Sequence, residues 1–177
     1  TVDSTKTLDL NGGTLDLNGT LVNNGTVQLT GAETIAMGTM DSDSGLFKYV
    51  GTSSVTLPIV ITNYFNLEFD ESGTSNPTYT LPDANITVSG VLTLTDGNLT
   101  FDTDKNLTIS NTGAATNALT LAASQTLTNL GTGDFALGGA VANAGTITFN
   151  SSDDAGNGIS ITSTSSPTQR TAQGAGT

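Results

Sequence analysis

The chain has 177 residues, of which 35% are hydrophobic and 11% charged, and it contains no His, Cys or Trp. Its 16 acidic residues against 4 basic ones give a formal net charge of −12, and such a polyanion is repelled by phosphate backbones and anionic lipid headgroups. We therefore expect no nucleic-acid partner and no membrane insertion, and the missing His and Cys exclude Ser-His and Cys-His nucleophile pairs and any disulfide.

The opening part of the chain alternates apolar and polar residues with the period of a half-buried β-strand. The pattern begins at residues 8–10 and 15–17, with turn formers at residues 11–13 between them, and continues at residues 27–29. No stretch of about ten or more residues has the apolar spacing of an amphipathic helix, and the abundant Gly, Asn and Thr are weak helix formers. The sequence therefore predicts an all-β fold with almost no helix.

Residues 46–82 interrupt this rhythm with longer apolar runs and hold most of the aromatic residues. They also contain Pro58, Pro77 and Pro82, and proline cannot donate a hydrogen bond to a strand ladder. We expect an excursion loop, a pair of wider rungs or a small separate sheet here. Any sandwich-like part of the fold is expected to lie in this segment.

Short alternating segments recur after this interruption. They begin at Ile86, Leu92, Leu99 and Leu107. Turn formers separate them, which indicates repeated strand and corner units. Because the Asp96-Gly97 dipeptide between two of them is also a hairpin signal, an antiparallel β-sandwich stays open as an alternative.

A longer repeat aligns residues 21–29 (LVNNGTVQL) with residues 141–149 (VANAGTITF), and Asn and Gly hold the same offsets in both. Gly25 and Gly145 are expected to adopt positive φ at a corner, with a strand following. Corner followed by strand is the unit of a solenoid. The repeats therefore predict a parallel β-helix of short rungs.

The strings LVNNGTV at residues 21–27 and NLTF at residues 98–101 resemble the degenerate repeats of bacterial parallel β-helix surface proteins, of the filamentous-haemagglutinin and autotransporter-passenger types. The resemblance lies in the repeat pattern and composition, and it covers most of residues 8–162. It implies a right-handed β-helix, export to the cell surface, and adhesion or fibre building. We expect residues 1–162 to form one solenoid domain, and the low-complexity residues 163–177 to form a linker or a tail that docks on another subunit.

Oxygen-rich turns are the candidate metal sites, because Ca²⁺ prefers hard oxygen ligands. Asp41 and Asp43 lie in a DSDSG stretch that is similar to the start of a calcium loop, and Asp153 and Asp154 lie in a second acidic turn. However, Thr52 stands where an EF-hand would place its bidentate Glu. A structural Ca²⁺ is therefore weighed against plain acidic turns, and no other cofactor is expected.

Two pairs of carboxylates have a spacing similar to that of the paired acids of glycosidases, namely Asp102 with Asp104 and Glu68 with Asp70. Each pair alternates along a predicted strand, so both side chains share one face about 6–7 Å apart, a separation that a polysaccharide-cleaving site could use. Such enzymes surround their acids with aromatic and basic residues, and both are scarce here. A solvated acidic face is the favoured interpretation, and no catalytic residue is assigned.

Outward-facing threonine pairs are predicted along several strands. They are Thr93 and Thr95, Thr126 and Thr128, Thr146 and Thr148, and Thr162 and Thr164. Flat ranks of such pairs allow some solenoids to bind ice, although Thr is also simply a good strand residue. The irregular spacing of the strands along the sequence argues against the regular lattice that ice requires.

The sequence favours a non-enzymatic structural module of an extracellular fibre, filament or adhesin on the cell surface. We expect the exposed edges at its two ends either to be capped by flanking repeats of a larger protein or to pair with another subunit by strand addition. The segments expected to do so are the first strand, residues 2–10, and the tail after Ile161. Host or surface glycans are the other expected partners. A carbohydrate-binding or polysaccharide-cleaving β-helix and an ice-binding solenoid are the alternative functions.

Overall fold

A computed structural model describes residues 1–101, 104–111, 117–131, 133–149 and 159–162, and these ranges contain strands and turns but no helix. The strands are β1 (Thr7–Asp9), β2 (Thr14–Leu21), β3 (Thr26–Leu29), β4 (Thr34–Met40), β5 (Leu46–Tyr49), β6 (Val55–Thr56), β7 (Asn63–Tyr64), β8 (Asn66–Asp70), β9 (Thr78–Thr80), β10 (Ile86–Val88), β11 (Leu92–Asp96), β12 (Asn98–Phe101), β13 (Leu107–Ile109), β14 (Asn117–Leu121), β15 (Thr126–Asn129), β16 (Phe135–Gly138), β17 (Ala140–Asn143), β18 (Thr146–Phe149) and β19 (Ile159–Thr162). Over the same ranges, no helix that could cross a membrane is present.

The strands stack into three parallel sheets and one parallel pair. Sheet A has the order β1-β3-β5-β8-β11-β14-β17, sheet B the order β6-β9-β12-β15-β18, and sheet C the order β7-β10-β13-β16-β19, while β2 pairs with β4. The chain visits sheets A, B and C in turn, so it coils into a β-solenoid of about 6 turns. The predicted parallel β-helix is confirmed, and the β-sandwich alternative is wrong, because each strand pair among the described residues is parallel.

The segment 46–82 is where the cross-section of the solenoid changes. Before it, one long strand, β2 or β4, follows each strand of sheet A, whereas from β6 and β7 onward two short strands do so. The segment thus adds β5 to β9 to the common sheets and forms no separate sheet. Its three prolines lie outside the strands, so none removes a donor from a ladder.

The core lies inside the coil and consists of aligned apolar side chains. In sheet A, consecutive turns place one above another Val27, Phe47, Leu67, Leu92 and Leu119, each exposing 3% of its surface or less. Burying a side chain of this kind contributes about 1.5–3 kcal/mol. Because each turn is covered only by its neighbours, stability depends on stacking along the axis.

Aromatic residues fill the core where the number of strands per turn changes from two to three. The rings of Tyr49 and Phe69 lie 5.5 Å apart between centroids, and those of Phe69 and Tyr79 lie 4.7 Å apart. Each of these side chains is fully buried. The aromatic residues of this segment therefore pack against one another inside the coil, where the number of strands per turn changes.

The two corners of the long sequence repeat have the same local structure. Asn23 Oδ1 accepts the backbone N–H of Gly25 at 3.2 Å, and Asn143 Oδ1 accepts that of Gly145 at 3.0 Å. The predicted positive φ is wrong at both glycines. Glycine is needed there because a Cβ atom would overlap backbone oxygens of the preceding turn, those of Asp3 and Lys6 at Gly25 and that of Gln125 at Gly145.

Asn side chains at other corners join neighbouring turns. Asn66 donates from Nδ2 to the carbonyl oxygen of Gly45 at 3.1 Å, and its Oδ1 accepts the N–H of Val91 at 2.9 Å. One amide thus satisfies backbone groups of the turns before and after its own. At the predicted hairpin, Gly97 has φ of 125° and connects β11 to β12, which lie in different sheets, so no hairpin forms.

Candidate functional site

A cluster of charged side chains lies on the outer face of sheet A and is centred on Lys48. Its Nζ atom lies 2.5 Å from Asp70 Oδ2 and 3.8 Å from Glu68 Oε1. Parallel register places Lys48 beside Glu68 in the next turn. Thr95, one turn further on, donates from Oγ1 to Glu68 Oε1 at 3.1 Å, so the cluster spans three turns.

Electrostatics keep Lys48 charged. Partial burial lowers the pKa of its ammonium group, but the hydrogen bond to Asp70 and the negative charges of Glu68 and Asp70 raise it more, so the pKa lies above its usual value. Glu68 and Asp70 share one face, as the sequence predicts, with a lysine between them. The arrangement is an ion-pair network across two strands, which stabilises neighbouring turns modestly because all three side chains are partly solvated.

An open groove of about 620 Å³ adjoins this cluster at the corner that follows sheet A. It is lined by Asp9, Asn11, Gln28, Thr30, Ala32, Lys48, Val50, Gly51, Thr52, Ser53, Val55, Asp70, Glu71 and Ser72. Glu71 exposes only 5% of its surface, and it accepts hydrogen bonds from the N–H and the hydroxyl of Ser75, both at 3.0 Å. The groove is open to solvent, and its most buried acid, Glu71, already accepts hydrogen bonds from Ser75.

The second acid pair is described only in part. Asp104 Oδ1 lies 2.7 Å from Nζ of Lys105, which lowers the pKa of the Asp104 carboxyl group. Lys105 also lies 3.6 Å from Asp83. Asp102 lies outside the described residues.

The candidate calcium ligands take different partners. Asp41 Oδ1 accepts the backbone N–H of Asn23 at 3.1 Å, and Asp43 Oδ1 accepts the hydroxyl of Ser44 at 3.2 Å. Within the described ranges, no group of three or more acidic side chains is placed to hold a metal ion. Asp153 and Asp154 lie outside these ranges, so the calcium hypothesis stays a prediction.

Among the described residues, no strand covers the outer side of the first turn. Strands β1 and β2 each pair with a single neighbour, and four leucines that point into the coil are only partly buried, namely Leu8, Leu10, Leu15 and Leu17. In the next turn, Val27 and Leu29 of β3 expose 1% and 0%, whereas Ile35 and Met37 of β4, which also pairs with a single strand, are only partly buried. The predicted first strand over residues 2–10 is wrong in extent, because β1 is shorter and Val2 forms an isolated bridge with Asn23.

Sequence reasoning missed the buried carboxylate of Glu33, which exposes 9% of its surface. Its Oε1 atom accepts N–H groups of Gly12 at 2.9 Å and Thr30 at 2.6 Å, and its Oε2 atom accepts that of Gly31 at 2.7 Å. In the sequence, the signal for this role is that Glu33 follows the corner residue Gly31 by two positions. Glu71 has no glycine at that offset, so the sequence gives no such signal for it. Both acids serve the corners of the coil.

Comparisons with known proteins identify no relative of this chain. No family model matches it, and neither a curated protein nor a solved structure matches it. The resemblance to bacterial surface proteins therefore holds for the coiled parallel fold alone. Surface location and adhesion are proposals.

Proposed function

We propose that this chain is a non-enzymatic structural module of an extracellular fibre, filament or adhesin, and that it associates through the unpaired strand edge of its first described turn, which a second copy of the chain would extend. The observation that carries the proposal is the partial burial of the four inward leucines of that turn. A strand edge with unpaired backbone groups beside apolar side chains favours addition of a further strand. A second copy that extends sheet A beyond β1 would satisfy both.

The opposite end of the described stack also has strand edges that pair on one side only. Strands β17 and β18 end sheets A and B, and each pairs on one side only. Val141 in β17 is 38% exposed, and Ile147 in β18 is only partly buried. Contact between β17 of one copy and β1 of the next is head-to-tail, and a head-to-tail contact that does not close into a ring generates a filament.

The solenoid sets the length that each copy would add. About 6 turns at roughly 4.8 Å per strand give a rise of about 25–30 Å along the axis. The small number of Lys and Arg residues, 4 in all, suits a surface exposed to trypsin-like proteases. The low fraction of charged residues, 11%, also suits fibres that associate laterally, and the net charge of −12 favours association that depends on cations.

Sedimentation velocity over a range of concentrations, with negative-stain electron microscopy, tests the proposal. Leu15→Lys places a charge inside the first turn, and Asp16→Lys places the same charge on the outer face of the same strand, where the side chain is exposed. We expect the wild type and Asp16→Lys to form filaments with an axial repeat of about 25–30 Å. We expect Leu15→Lys, checked for its fold by circular dichroism, to stay monomeric.

Wild-type protein that remains monomeric at every concentration would contradict the proposal. So would filaments that both lysine variants form equally well, because assembly would then not use the interior of the first turn.

A further inference from the structure

We propose that the outer face of sheet B binds ice, through two parallel files of outward side chains that the solenoid holds in register. This function goes beyond end-to-end assembly and does not depend on it. The first file runs through five strands, β6, β9, β12, β15 and β18. Each residue of this file pairs directly with the next, and the file consists of Thr56, Thr80, Thr100, Thr128 and Thr148.

The second file lies two residues earlier on four of these strands, β9, β12, β15 and β18. It contains Thr78, Asn98, Thr126 and Thr146. Asn98 Oδ1 accepts both the N–H and the hydroxyl of Thr126 at 2.8 Å, so the one residue that departs from threonine is locked to its neighbour. Apart from Asn98, the two files together form a grid of hydroxyl-bearing side chains on one face.

The register of sheet B is what makes this grid regular. Leu99 pairs with Leu127 and Leu127 with Ile147 although the loops between them differ in length, and sheet B contains no register shift among the described residues. Sheet A, in contrast, shifts register between Leu94 and Asp96. The irregular strand spacing in the sequence, which argues against a lattice, is therefore absorbed by the loops outside sheet B.

The geometry of a parallel sheet gives the grid two fixed spacings. Neighbouring strands are about 4.7–4.9 Å apart, and alternate residues on one strand are about 6.6 Å apart. Both are close to distances at which oxygen atoms repeat on the faces of an ice crystal. The inward residues beneath the grid hold it rigid, because Tyr79, Leu99 and Leu127 expose 1% or less.

The chemistry of the face also suits ordered water. Strands β6, β9, β12, β15 and β18 contain no charged residue. A threonine presents a methyl group beside a hydroxyl that both donates and accepts hydrogen bonds.

The other outer faces lack this combination. Sheet A carries the charged cluster of Lys48, Glu68 and Asp70, and charged groups hold their own hydration shells. In sheet C, the outward file that contains Thr87 and Thr108 is interrupted by Ala136. Among the described strands, the regular hydroxyl grid is confined to sheet B.

Thermal hysteresis and inhibition of ice recrystallisation, measured on the purified chain, test the proposal. Thr128→Lys disrupts the middle of the grid, and Thr108→Lys makes the same change on the outer face of sheet C. We expect the wild type and Thr108→Lys to be active in both assays. We expect Thr128→Lys to lose most of the activity while its melting temperature stays equal to that of Thr108→Lys.

Absence of both activities in a correctly folded wild type would overturn the proposal. Equal loss in the two lysine variants would also overturn it, because sheet B would then have no special role. Neither result depends on whether filaments form. A negative result here would therefore contradict ice binding without contradicting end-to-end assembly.

Discussion

The carboxylate of Glu33 accepts the backbone N–H of Gly12 at 2.9 Å and thereby ties the second turn of the solenoid to the first. The same carboxylate accepts N–H groups of Thr30 and Gly31 in its own turn. Partial burial raises the pKa of Glu33, but the hydrogen bonds from Thr30 and Gly12 lower it more, so the pKa lies below its ordinary value of 4.5. The ionised form is therefore the one that the fold stabilises.

The stability contributed by Glu33 should depend on pH. Because its pKa is lower in the folded than in the unfolded chain, the contribution is complete above about pH 5 and is lost as the pH falls through the folded-state pKa. At pH 7 we expect Glu33→Gln to lower the free energy of unfolding by about 1–3 kcal/mol. Urea unfolding from pH 7 to pH 3 should show the difference from wild type shrinking. A difference that stays constant would contradict the role of ionisation, and Asp16→Asn on the exposed face serves as control.

Two buried tyrosines allow the value of one hydrogen bond to be measured. The hydroxyl of Tyr79 donates to the carbonyl oxygen of Gly51 at 2.6 Å, whereas that of Tyr49 is buried with no partner of hydrogen-bond geometry. We expect Tyr79→Phe to cost about 1–2 kcal/mol, because it leaves a buried carbonyl unsatisfied, and Tyr49→Phe to be nearly neutral or stabilising. Thermal unfolding of both variants checks this order, and an equal loss would contradict it.

Gly51 should tolerate no side chain. A Cβ atom there would overlap the carbonyl oxygen of Thr30 in the preceding turn, and backbone cannot move aside as a side chain can. We expect Gly51→Ala to lower the free energy of unfolding by at least about 1–3 kcal/mol. Gly19→Ala, where nothing lies within 4 Å of the added atom, is the matched control and should be neutral or slightly stabilising. Chemical denaturation of the two variants separates close approach from the general loss of a glycine.

The ion pairs of Lys48 should be worth little and should depend on salt. We expect Lys48→Met to lower the free energy of unfolding by about 1 kcal/mol or less at low ionic strength, with a smaller loss in 1 M NaCl. Lys6→Met, on an exposed side chain of the first turn, serves as control for the change in net charge. A loss for Lys48→Met that salt leaves unchanged would indicate that packing of its alkyl chain is responsible instead.

Much of the fold follows from the sequence, because alternation with period two and regular turn formers specify strands with one buried face. The short segments that begin at Ile86, Leu92, Leu99 and Leu107 are confirmed as β10 to β13. Which sheet each strand joins does not follow, since that depends on corner geometry and on loops of unequal length. The same limitation concealed the change from two to three strands per turn within residues 46–82.

The candidate sites followed less well from the sequence. Spacing alone placed Glu68 and Asp70 on one face, but Lys48 reaches them from the preceding turn, and contacts between turns leave no trace in local spacing. For the threonine grid, local spacing in the sequence does give a signal. Its pairs are visible in the sequence, but their alignment appears only when pairing places Thr128 between Thr100 and Thr148.

The change of cross-section near β6 and β7 also fixes the alignment of the whole stack. A solenoid of identical rungs could slide by one complete turn and still bury every inward side chain. Here such a slide would push the aromatic rings of Tyr49 and Phe69 against turns shaped for leucine and valine. The irregular segment thus stabilises the observed alignment of the strands relative to alignments that are shifted by one turn.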